Sequence, residues 1–196
     1  MSEPTNHGAG VPSSWVTRWA PCVPAGARVL DLACGHGRHA RWWAALGHAV
    51  TAVDRDGDAL QALAGVAGIE AVQADLEGEA WPLTDQTFHL VIVTNYLWRP
   101  RFDALLATVA PGGLLLYETF SAGHEAIGRP SRAAFLLQAG ELLQRCAGWQ
   151  VLGFEEGHLT QPARFVQRIA ARRPAAAADP HDAQRVSLPE WPLSQG

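Results

Sequence analysis

The chain lacks most marks of the secreted, membrane and metalloprotein classes, and each absence removes a reading. Its three cysteines, Cys22, Cys34 and Cys146, lie far apart and form no Cys-x-x-Cys pair. An odd, dispersed set argues for reduced thiols and a cytoplasmic setting, not a disulfide framework or a zinc site. The eight histidines are scattered, and His36 and His39 make no His-Glu-x-x-His pattern. With no second cluster to complete a ligand set, no metal site is expected. No apolar run approaches the roughly 20 residues that cross a bilayer, and the polar start, Met1 to Gly10, carries no signal-peptide pattern. Basic excess is missing too. A net charge of −4 speaks against a broad nucleic-acid footprint, although not against a local basic pocket. No internal repeat is present, and the residues specify no oligomeric state.

What remains is a chain of 196 residues, 48% hydrophobic, long enough for one substantial core. Short β-branched runs alternate with helix-compatible stretches, which predicts strand–helix–strand units around a parallel sheet. Strands are expected near Arg28–Leu32, Ala49–Val53, Glu70–Gln73, His89–Thr94 and Leu114–Glu118. Helices are expected near Arg38–Leu46, Asp58–Ala67, Phe102–Val109 and Gln138–Cys146. Two further strands, Gln150–Glu155 and Phe165–Ala171, read as a hairpin with the polar segment Glu156–Pro162 between its arms. Pro111-Gly112-Gly113 reads as a break before the fifth strand. Ser13–Trp19 suits a short helix capping the sheet or a pocket, with Ser13 or Ser14 as its N-cap. The Ala/Pro-rich stretch from Pro174 reads as a loosely ordered tail in which Trp191 alone offers an anchor.

Residues 28–38, Arg-Val-Leu-Asp-Leu-Ala-Cys-Gly-His-Gly-Arg, carry the strongest signal. An apolar strand turns through Gly35 and Gly37 into a helix, and glycines there let backbone N–H groups approach a ligand. Asp31 would repel a dinucleotide pyrophosphate, yet it suits a ligand bearing a cationic amino group. Ligands of open parallel sheets bind outside the carboxyl ends of the strands. At those ends stand Asp31 and Gly35, Val53-Asp54, Ala74-Asp75 and Thr94-Asn95-Tyr96. Taken singly, Asp54 or Asp75 would be a cap or turn residue. NAD is the rival ligand, since an acidic residue after the second strand also serves its ribose. Against it stand Asp31 and Ala40, which occupies the place of a third glycine.

These landmarks resemble the class I S-adenosylmethionine-dependent methyltransferases: the glycine motif Val29–Gly37, the acidic Asp54, the pair Asp75-Leu76, and Pro111-Gly112-Gly113. More faintly, the compact length resembles small bacterial enzymes of the tellurite-resistance type. The resemblance implies an α/β, doubly wound, Rossmann-like seven-stranded sheet, mostly parallel, with a C-terminal antiparallel hairpin. It implies a methyltransferase domain over 28–172, between an N-terminal segment (1–27) and the tail (173–196). It also implies S-adenosylmethionine as cofactor. Asp54 would accept the ribose hydroxyls, with Arg55 beside it, while Asp75 and Leu76 would read the adenine edge. Ala33, Cys34, Gly35 and Gly37 would cradle the methionine and ribose portions, Asp31 would orient the amino end, and Asn95 and Tyr96 would complete the pocket.

Methyl transfer from a sulfonium needs orientation and water exclusion more than acid–base help. The acceptor side is expected from Asn95–Arg101, Tyr117–Phe120 and the loop Ser121–Arg132. Arg99 and Arg129 are candidates for gripping an acidic acceptor group; alternatively Arg99 pairs with Glu118 and Arg129 is solvated. Glu118 and His124 are candidate bases. Tyr96, Trp98 and Phe120 suit an aromatic wall or a core role. The expected partner is a small anionic or soft acceptor molecule, and the lack of Asn/Asp-Pro-Pro-Tyr/Phe at Asn95–Trp98 speaks against amino methylation of bases or glutamine. Methylation of protein or RNA would have to dock on Arg99, Arg101, Arg129 and Arg132. A non-catalytic cofactor-binding protein is the third reading, and an NAD-dependent oxidoreductase the fourth.

Overall fold

In the computed structural model, which describes residues 10–175, the apolar runs pair into one seven-stranded sheet. Its strands are β1 (Arg28–Leu32), β2 (Ala49–Asp54), β3 (Ile69–Gln73), β4 (Phe88–Thr94), β5 (Val109–Phe120), β6 (Gln150–Thr160) and β7 (Ala163–Arg172). They lie in the order β3-β2-β1-β4-β5-β7-β6. The first five run parallel, and β7 inserts antiparallel between β5 and β6. The helices are α1 (Ser14–Arg18), α2 (Arg38–Ala45), α3 (Gly57–Gln61), α4 (Phe102–Ala107) and α5 (Glu141–Arg145).

Both faces of the sheet are covered, which is why the central strands are apolar almost throughout. One face packs Leu30, Leu32, Val91, Val93, Leu115 and Tyr117 against Phe102, Leu105 and Leu142. The other packs Val29, Ile92, Leu114 and Leu116 against Trp15, Trp19 and Trp43. Alternation along β1 therefore sends Asp31 to the second face, beneath α2, where it is 1% exposed. Among the described residues, no helix is long and apolar enough to cross a membrane, and no cluster of His, Cys, Asp and Glu has metal-binding geometry.

The structure corrects several expected boundaries. Pro111-Gly112-Gly113 does not precede β5 but lies inside it, where the register slips between Phe88 and Leu90. Gly113 lets the chain pass, because a Cβ there would sit 2.8 Å from the Ala110 carbonyl oxygen. Val109 belongs to the same strand, so α4 stops at Ala107. α3 ends at Gln61 instead of Ala67, ahead of Gly65 and Gly68, both at positive φ. Instead of Gln138–Cys146, α5 covers Glu141–Arg145 alone. Glu156–Thr160 stay paired within β6, and the hairpin turns only at Gln161 and Pro162. The N-terminal helix forms, with the Ser13 side chain accepting the Trp15 N–H. Residues 1–9 and the tail from residue 176, with Trp191, lie outside the described residues.

Candidate active site

Four loops leave the carboxyl ends of β1 to β4, and those after β1, β3 and β4 are tied back to a neighbouring strand within their first two residues. Cys34 N donates to Val53 O (3.0 Å), Ala74 N to Asp54 O (2.9 Å) and Asn95 N to Glu118 O (2.9 Å). Ala33 and Asn95 turn away from β1 and β4 at φ 54° and 55°, a left-handed conformation that non-glycine residues adopt at some cost. These turns open a cavity of about 250 Å³ lined by Ala33, Asp54, Arg55, Ala74, Asp75, Leu76, Glu77, Asn95 and Tyr96. The structure thus brings most of the expected cofactor residues onto one cavity.

Asp54 accepts Gly35 N (2.7 Å) and Asp56 N (3.0 Å), so its carboxylate fixes the glycine turn while lining the cavity. Asp75 accepts Glu77 N (2.9 Å), closing the turn after β3. The cap belongs to neither: Asp56 caps α3. Gly37 has φ 72°, and a Cβ there would lie 2.5 Å from Leu63 Cδ2. Cys34 is buried, its thiol pushed up by that burial and then by Asp31 and Asp54, so it is inert. Asp31, Cys34, Gly35 and Gly37, also expected at the cofactor, do not line the cavity.

Asp31 accepts Ala40 N (2.9 Å) in the first turn of α2. Burial pushes its carboxyl up to about 7, and the Ala40 N–H and Arg38 recover only part of that rise. His39 lies beside it, held neutral down to about 3 by burial and then by Arg38.

A second cavity, of about 260 Å³, shares Glu77, Asn95 and Tyr96 with the first and adds Leu97, Thr119, Phe120, Pro130 and Phe135. Among the described residues, no arginine or histidine lines it. The Tyr96 hydroxyl is buried without a hydrogen-bond partner, and burial, then Glu77 and Asp75, hold it protonated. The loop above this cavity is stapled at both ends: Ser121 bridges Leu137, Ala122 N donates to Leu137 O and Leu137 N to Phe120 O.

The four expected catalytic residues do not converge on either cavity. Arg99 forks onto Glu141 (2.8 and 2.7 Å) and also donates to Ala134 O and Leu136 O, clamping the loop to α5; the alternative pairing with Glu118 is not made. Burial alone would raise Glu141, but Arg99, the Gln138 N–H and Arg145 outweigh it and hold the carboxyl low. Glu118 is 1% exposed and sits between Arg164 and Arg168, at 3.3 Å from each. His124 is buried, its Nε2 on Arg129 O (3.0 Å) and its Nδ1 accepting Phe165 N (3.4 Å). Arg129 is exposed. Trp98 is half-buried and lines neither cavity, whereas Phe120 lines the second. The sequence reading missed Glu77 and Phe135. Glu77 carried a signal, two residues past Asp75 on the same loop; Phe135 sits in a short 3-10 turn with no periodic pattern.

The fold agrees with what known proteins show. A methyltransferase domain family matches residues 29–113, and no curated protein matches the sequence. The structure resembles TehB from Haemophilus influenzae (TM-score 0.68, 20% identity), covering 83% of this chain and 62% of TehB. It also resembles an S-adenosylmethionine-dependent methyltransferase from Methanosarcina mazei (TM-score 0.65, 14% identity, 85% and 100% covered). A third likeness is to the N-methyltransferase NodS from Bradyrhizobium japonicum (TM-score 0.64, 16% identity, 82% and 92% covered). The chain thus spans under two thirds of TehB.

Proposed function

We propose that this chain is a class I S-adenosylmethionine-dependent methyltransferase, which the matching methyltransferase domain and fold support, and that it methylates a small soft or uncharged acceptor held in the second cavity. The observation that carries this reading is the pairing of two cavities through Glu77, Asn95 and Tyr96, one polar and one walled by Leu97, Phe120, Pro130 and Phe135. Among the described residues, an anionic acceptor finds no cation on those walls and meets Glu77, a carboxylate. Of the two acceptor types read from the sequence, the lining favours the soft one.

In this reading Asp54 takes the ribose hydroxyls, Asp75 and Leu76 the adenine edge, and Asp31 the ammonium group from beneath the glycine turn. Arg55, Ala33, Asn95 and Tyr96 form the walls. Bound there, S-adenosylmethionine would supply an activated methyl group, and its transfer to the acceptor would leave the broken bond's electron pair on sulfur. The enzyme contributes placement and exclusion of water, worth up to about 7–11 kcal/mol. A protic acceptor releases its proton to solvent or Glu77, since Glu118 and His124 are already engaged. Docking of RNA on the arginine lid has little support, because Arg99 is tied into the fold and Arg101 donates to Gly78 O and Glu79 O.

The test is transfer from methyl-labelled S-adenosylmethionine to panels of thiols, neutral heterocycles and carboxylates. Labelled thiols or neutral products, lost on Phe135→Asp, support the reading; efficient labelling of carboxylates alone overturns it.

A further inference from the structure

Glu118 and His39 point to a role for the segment before α1. Ser13 donates its hydroxyl to both Glu118 oxygens (3.1 Å each), and its backbone N–H donates to His39 Nε2 (3.1 Å). Glu118 lies opposite Thr94 in the β4–β5 register, and His39 lies in the first turn of α2, just past the glycine turn that leaves β1. Since β4 runs between β1 and β5, Ser13 is fastened on both sides of the carboxyl end of β4. Residues 10–13 therefore cross the sheet edge as a strap, and Arg38 Nη1 reaches Val11 O at 3.5 Å.

Anchoring α1 does not require this polar tie. Trp15, Val16 and Trp19 already bury the helix against the sheet. The strap itself has no such hold, for Val11 is 84% exposed. What fixes it is hydrogen bonding to a carboxylate that Arg164 and Arg168 hold in place. A polar tie of this kind releases and reforms without unpacking the core.

We propose that Ser13 is a positioning residue of the cofactor site, latching residues 10–13 over the amino-acid end of bound S-adenosylmethionine, and that Glu118 is the anchor of this latch. The inference rests on the cofactor placement given above. With the strap shut, water is kept from the sulfonium end; with the Ser13 bonds broken, the cofactor leaves.

The experiment compares Ser13→Ala, Ser13→Thr and Asp54→Ala for S-adenosylmethionine dissociation by stopped-flow tryptophan fluorescence, together with equilibrium affinity. Ser13→Ala should speed dissociation about tenfold or more, the loss of a hydrogen bond to a charged group, with association little changed. Ser13→Thr, which keeps the hydroxyl, should restore most of the residence time. In the wild-type protein, amide exchange at Ser13 should slow when S-adenosylhomocysteine is bound. Wild-type dissociation in Ser13→Ala, or unchanged exchange at Ser13, overturns the latch. Unweakened binding by Asp54→Ala would instead overturn the cofactor placement, so the two failures are distinct.

Discussion

The Nδ1 atom of His39 lies 4.0 Å from the Asp31 carboxylate, and both side chains are 1% exposed. The contact is not an ion pair in mildly acidic solution. Burial holds His39 neutral down to about 3 and keeps Asp31 protonated up to about 7. Folding therefore moves a proton from imidazole to carboxyl, and the burial cost of two charges is avoided.

A flat stability profile follows from this pair. Alone, Asp31, raised on folding, would lower stability as pH climbs from its unfolded value, about 4, towards 7. Alone, His39, depressed on folding, would lower stability as pH drops from its unfolded value, about 6.5, towards 3. Between those unfolded values each state of the pair binds one proton, so the slopes cancel. Relative to wild type, Asp31→Asn should lose stability towards acid and His39→Gln towards neutrality, each by about 1.4 kcal/mol per pH unit. Urea unfolding at a series of pH values reads the two opposite slopes; parallel profiles would contradict the assignment.

Cofactor binding should carry the same group. If Asp31 receives the ammonium, its charged form is required, and affinity weakens below pH 7 as the carboxyl takes up its proton. Calorimetric titration should show Kd rising about tenfold per pH unit below that point. Asp31→Asn should bind more weakly throughout, with that dependence removed.

Arg99 should behave as a clamp. Arg99→Lys keeps the charge but loses the fork onto Glu141 and the bonds to Ala134 and Leu136. We expect a loss of about 1–2 kcal/mol of stability, discounted for partial exposure. S-adenosylmethionine affinity should stay at the wild-type value while KM for the acceptor rises. A fall in cofactor affinity would refute the clamp.

Gly37 has no room for a side chain, with Leu63 Cδ2 2.5 Å from a Cβ and φ at 72°. Gly37→Ala should cost about 1–3 kcal/mol from strain and overlap. Combined with Leu63→Ala, which removes the overlap but not the strain, the loss should be less than additive. Denaturant midpoints of both single variants and the double decide it.

Local chemistry made part of this site legible. Asp54 and Asp75 could be found because each ends an apolar run at a position where an open sheet gathers its ligands. The glycine turn was readable from Gly35 and Gly37 for the same reason. Arg99 was not, since its partner Glu141 lies 42 residues further along and no periodicity links them. Glu118 looked like a base while β7 had no known register; only pairing with Arg168 across β5 and β7 shows that its charge is already matched. Pro111-Gly112-Gly113 misled because glycine marks both a chain break and a close passage of backbones, and here Gly112 N bonds Arg173 O at 3.1 Å.

The staple between Ser121 and Leu137 returns the intervening chain to the place it left. Pro130 and Phe135, carried on that excursion, line the second cavity, while the residues lining the first sit on other loops. Closing the excursion at its root makes it an exchangeable cassette: its interior, and with it part of the second cavity's lining, can be rewritten without touching the walls of the first.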